Sequence, residues 1–143
     1  MEEKELQIVT FEQAKRLKEL GFDWGTICRY SFRKLNRGGL KVTLAQPPTI
    51  RDYIDWNTRG DMYGWNFISA PTVALALKWF RDEKNALFCI NYPIDGCSGY
   101  YWEAPKLKGD NKSGSGGILF NTYEVAEMAL LDDLLSREEH NLK

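Results

Sequence analysis

Between Trp24 and Arg51 the chain carries six basic residues, Arg29, Arg33, Lys34, Arg37, Lys41 and Arg51, and no acidic one. Guanidinium and ammonium groups gathered without counter-charges attract polyanions. The block is therefore a candidate surface for nucleic acid or for an acidic patch on a protein. Six phosphate contacts suffice for measurable, salt-sensitive binding. From Thr122 onward the balance reverses: Glu124, Glu127, Asp132, Asp133, Glu138 and Glu139 stand against Arg137 and Lys143. The plainer explanation is a solvated basic face, or one docked on the chain's own acidic helix. A second candidate is the aromatic group Trp56, Tyr63, Trp65 and Phe67, set among Asp, Asn and Gly. Trp and Tyr dominate interface hot spots, although aromatics in such a segment also serve to pin it to the core.

Catalytic chemistry finds little support. The one histidine, His140, is three residues from the end of the sequence on a polar stretch. That is a poor place to hold an imidazole in fixed geometry. Cys28 and Cys89 alternate with apolar residues and read as core thiols, while Cys97 sits at a turn. Three cysteines without a CxxC pair suggest reduced thiols rather than a disulfide. Asp52, Asp55 and Asp61 are scattered without the spacing that places several oxygens around one cation. In "GDNKSGSGG", Gly109 to Gly117, the glycines are followed by Ile118-Leu119-Phe120. A phosphate-binding loop needs Lys and Ser or Thr there, opening a helix. No catalytic residue, cofactor or metal site is expected.

These residues must be positioned by elements that the pattern predicts as follows. "TFEQAKRLKELGF" is a helix with Thr10 and Gln13 as a capping box and Gly21 ending it in the left-handed conformation. "TICRYSF" and "LKVTLA" form a hairpin around "NRGG", Asn36 to Gly39, with Pro47 and Pro48 stopping the second strand. Residues 49–67 read as an irregular excursion. "SAPTVALALKWFRDEKN" is a second helix, with Ser69 as cap, Pro71 in the first turn and Asn85 as its left-handed end. Val73, Ala76, Leu77 and Phe80 make its apolar face, which Leu75 and Trp79 extend almost all round, as in a buried helix. "ALFCINYPIDGCSGYYWEA" is a hairpin around Asp95-Gly96, a turn that sets Cys89 opposite Trp102. "ILF" is a last short strand, and "NTYEVAEMALLDDLL" a third helix capped by Asn121 or Thr122. The expected fold is α+β: an antiparallel sheet of four to five strands with three helices, in the order α-β-β-α-β-β-β-α. One domain, 1–143, is expected, frayed over 1–7 and flexible over 109–117.

The phrases "TFEQAKRLKELGFDW", "SAPTVALALKWFRDEKN" and "TYEVAEMALLDDLL", in this order, resemble a group of small uncharacterised proteins of Bacteroides-type bacteria and their phages or mobile elements. The similar phrases cover 46 of the 143 residues, essentially the three helices. The resemblance implies a cytoplasmic bacterial or phage accessory protein and carries over no activity or cofactor. With a net charge of −1 and no long apolar run, no membrane association is expected. The leading expectation is a non-enzymatic accessory protein that binds a macromolecular partner, foremost a protein. The alternative is a nucleic-acid-binding module using the hairpin 29–41. Candidate partner-binding residues are Arg29, Arg33, Lys34, Arg37, Lys41, Trp56, Tyr63 and Trp65.

Overall fold

A computed structural model of the chain describes residues 7–45, 54–58, 64–92, 99–104 and 119–141. The fold is α+β, with three helices and two antiparallel sheets among the described residues. The elements are α1 (Phe11–Glu19), β1 (Arg29–Lys34), β2 (Leu40–Ala45), β3 (Asn66–Ser69), α2 (Val73–Glu83), β4 (Cys89–Asn91), β5 (Tyr101–Glu103) and α3 (Tyr123–Asn141). The order is thus α-β-β-β-α-β-β-α, with the third strand before the second helix rather than after it. The strands divide into sheets of three and two instead of one sheet of four to five. Expectations for the frayed start, Pro47-Pro48, the Asp95-Gly96 turn, the loop 109–117, Arg51, Asp52, Asp61, Tyr63, Cys97 and Ile118 lie outside the described residues, save Gln7 at the end of that start. The chain falls into two compact units, Met1–Thr72 and Val73–Lys143.

In the first unit α1 opens on the expected capping box. Thr10 Oγ1 accepts from the Gln13 amide at 3.2 Å, and Gln13 Oε1 accepts from the Thr10 amide at 2.9 Å. Its end is a Schellman turn. Gly21 has φ +93°, its amide donates to the Lys18 carbonyl, and the Phe22 amide donates to the Leu17 carbonyl, both at 3.0 Å. Leu17 and Phe22, brought together by that turn, are both buried. The sheet has the order β2-β1-β3, with β1 central and both pairings antiparallel. The β1–β2 connection closes with the Leu35 amide on the Gly39 carbonyl at 3.1 Å and the Gly38 amide on the Leu35 carbonyl at 3.2 Å. α1 covers one face of the sheet, where Phe11 meets Tyr30 and Phe32 edge-on at 5.5 and 5.4 Å between ring centres. The Tyr30 hydroxyl donates to the Val9 carbonyl at 2.6 Å.

The excursion is not wholly irregular, because Asn66–Ser69 is a strand paired with β1. Ser69 is consequently no helix cap. It ends β3, and its Oγ accepts from the Trp56 amide at 3.0 Å. Pro71 likewise lies outside α2, its carbonyl accepting from the Val9 amide at 3.1 Å.

In the second unit α2 buries Val73, Ala76, Leu77, Trp79 and Phe80, as its pattern predicts. Asn85 follows it with φ +53°. α3 is capped by Thr122, whose Oγ1 accepts from the Val125 amide at 3.2 Å, and it buries Ala126, Leu130, Leu131, Leu134 and Leu135. The β4–β5 register sets Cys89 opposite Glu103 and Ile90 opposite Trp102, one residue out of step with a ladder centred on Asp95-Gly96. Cys89 is exposed rather than a core thiol, while Cys28 is buried. Of the expected last strand, the described residues show one bridge, Tyr100 with Phe120, joined by two bonds of 2.7 Å. Gly99 makes that bridge possible: a Cβ there would lie 2.8 Å from the Leu119 Cβ.

A cation and aromatic face on the three-stranded sheet

Alternation along the strands sorts the candidate residues by face. Arg29, Ser31 and Arg33 of β1 share a side with their partners Ala45, Thr43 and Lys41 of β2 and with Ser69 and Phe67 of β3. Extending the β1–β3 register by one step brings Trp65 opposite Arg33. One row across the sheet therefore reads Lys41, Arg33, Trp65, with strands about 4.8 Å apart. The geometry agrees. The Arg33 guanidinium carbon lies 4.7 Å from the Trp65 ring centre, and the Lys41 ammonium lies 5.9 Å from it. Both cations are exposed and Trp65 is half-buried.

A second cluster lies farther along the same face. The Arg29 guanidinium carbon stands 4.3 Å from the Trp56 ring and 4.5 Å from the Phe67 ring. These two rings are themselves in contact at 5.9 Å. Desolvated cation–π contacts of this kind reach about 2 kcal/mol. Trp56 is only 2% exposed and its indole donates to the Thr26 carbonyl at 3.3 Å. Its ring is thus buried and offers no contact surface.

Asn57 fixes the segment that carries Trp56. Its Nδ2 donates to the Phe22 carbonyl at 2.8 Å, and its Oδ1 accepts from the Ser69 amide at 3.0 Å. Asp55 Oδ1 in turn accepts from the Asn57 amide at 3.0 Å. Sequence reasoning passed over Asn57 because its partners are 35 and 12 residues away. Thr43 and Ser31, polar neighbours of the Lys41 row, were also missed; alternation from Arg33 and Lys41 would have found them.

The remaining candidates do not join the row. Lys34 is on the opposite face, paired with Leu40, and Arg37 is exposed in the turn. Tyr63 lies outside the described residues. Burial pushes the Cys28 thiol up, keeping it protonated, and burial followed by the Cys28 charge pushes the Tyr30 hydroxyl up. His140 is exposed in the last turn of α3. Among the described residues no three His, Cys, Asp or Glu gather as a metal site. No helix among them is long and apolar enough to cross a membrane.

Arg33 and Lys41 are thus like charges placed directly opposite each other, an arrangement that destabilises a sheet. Among the described residues neither has an ion pair, and no acidic residue lies between Trp24 and Ala45. Comparison with family models, with curated proteins and with solved structures returned no match.

Proposed function

We propose that this chain is a non-enzymatic binding module that holds a single-stranded nucleic acid on the Lys41–Arg33–Trp65 row. One observation carries the reading: two exposed like charges meet over a half-buried indole on one face of the sheet. Sequence-independent binding of single strands combines cations that track the phosphates with an aromatic ring on which a base stacks. Arg33 and Lys41 supply the first and Trp65 the second. Phosphates that recruit the two cations uncover the ring for a base. Arg29, held between Trp56 and Phe67 farther along the same strand, adds to the positive field. A flat sheet face suits a single strand better than a duplex, whose major groove admits a helix or ribbon.

Anisotropy of a fluorescein-labelled oligo(dT) tests the reading. Binding at low salt that weakens steeply as salt rises is expected; absence of binding at low salt overturns it. The setting, an accessory protein of a phage or mobile element, is proposed on the resemblance alone. A protein partner is the second reading, favoured by the outer edge of β2, with which no strand pairs among the described residues. A pull-down from a bacterial lysate with and without nuclease separates the two, because nucleic-acid carry-over vanishes with nuclease and a protein partner does not.

A further inference from the structure

The free edge of β2 has a defined hydrogen-bonding pattern. In an antiparallel ladder each residue directs its amide and carbonyl to alternate sides. The Leu35 amide bonds the Gly39 carbonyl toward β2, whereas the Cys28 carbonyl accepts from the Ala70 amide on the β3 side. With the registers fixed, Arg29, Ser31 and Arg33 bond to β2, and Tyr30 and Phe32 bond to β3. On β2 it follows that Lys41, Thr43 and Ala45 bond inward. Leu40, Val42 and Leu44 turn their amides and carbonyls outward.

These same three residues are 44%, 38% and 39% exposed. Among the described residues no strand pairs with that edge. Natural sheets guard such edges with proline, bulges or charges, and the only charge on β2 is Lys41. Arg33, Lys34 and Arg37 surround it on the hairpin.

We infer that β2 is the docking edge for an extended, acidic segment of a partner protein, which adds a strand to the sheet. Register dictates the partner's chemistry. Residues opposite Leu40, Val42 and Leu44 share their face and are apolar; the residue opposite Lys41 is Asp or Glu. Charge selects this occupant over a second copy of the chain, which would bring the same basic hairpin against itself. Main-chain bonds supply the affinity and alternate side chains the specificity.

The probe is a short fluorescein-labelled peptide of alternating Val and Glu. Its controls are a peptide of the same composition in two blocks and an alternating Val and Lys peptide. The alternating acidic peptide is expected to bind roughly tenfold tighter than either control. Val42→Pro removes an outward amide while leaving the β1 ladder intact. It should weaken that peptide by roughly tenfold and leave oligo(dT) binding unchanged. Equal binding of the three peptides, or full binding by a folded Val42→Pro, overturns the inference. Circular dichroism checks folding; if Val42→Pro does not fold, Leu44→Pro, which removes the next outward amide, decides by the same criteria. A dimer in sedimentation that Val42→Pro abolishes would make a second copy the occupant and overturn it equally.

Discussion

Arg33 and Lys41 hold a position that stability alone would not choose. Cross-strand like charges cost up to about 1 kcal/mol, offset in part by the Trp65 ring beneath both. Lys41→Gln is therefore expected to raise stability in urea unfolding by a few tenths to about 1 kcal/mol, while weakening oligo(dT) binding. A loss of stability instead would show that the ammonium is held there for packing. Glu127 carries a different tension. Its carboxyl is pushed above the usual range, first by burial and then by the Glu124 charge. An acid whose pKa is raised on folding contributes stability that is present below its unfolded pKa and lost as pH rises through the folded one. Glu127→Gln should hence raise Tm near pH 7 and give no gain below about pH 4, where the unfolded-state carboxyl is also protonated. Thermal scans at the two pH values check this, and an equal shift at both contradicts it.

At the scale of elements, helices were the legible part, because their signals are local. Thr10 with Gln13, Gly21, Asn85 and Thr122 all act within a few residues of their own helix. The two threonine caps are only half alike: Gln13 returns the bond in α1, and Val125 in the same position of α3 cannot. Strands were less legible because their partners are distant. Asn66–Ser69 is four residues long, and Ser69 followed by Pro71 imitates a helix start. What fixes Ser69 is the Trp56 amide thirteen residues earlier. The β4–β5 register also escaped, since a turn preference cannot count residues that a ladder leaves unpaired. Within α2, burial was read correctly, and Leu77 is 5% exposed. Leu77→Ala should cost about 2–5 kcal/mol in chemical denaturation through the cavity it leaves; a change below about 1 kcal/mol would contradict that burial.

For the whole molecule, charge is distributed unevenly. Met1–Thr72 holds eleven Lys and Arg against nine Asp and Glu, net +2, and Val73–Lys143 holds eight against eleven, net −3. The overall −1 conceals this division, so bulk charge understates the field at the hairpin. The sequence showed the basic block and the aromatic group as separate candidates. It could not show that β3 joins them, because that depends on the β1–β3 pairing across more than thirty residues. Pairing sorts the candidates: Arg33, Lys41 and Trp65 form one row, Trp56 and Arg29 meet farther along the same face, and Lys34 and Arg37 stand apart. The measurement that tests this most directly is the salt dependence of oligo(dT) affinity for the native chain and for the Arg33→Gln, Lys41→Gln double variant. With two phosphate contacts removed, the slope of log K against log salt should become shallower by about 1.4, at about 0.7 per contact. An unchanged slope, with the native chain binding normally, would contradict the assignment of this row as the binding face.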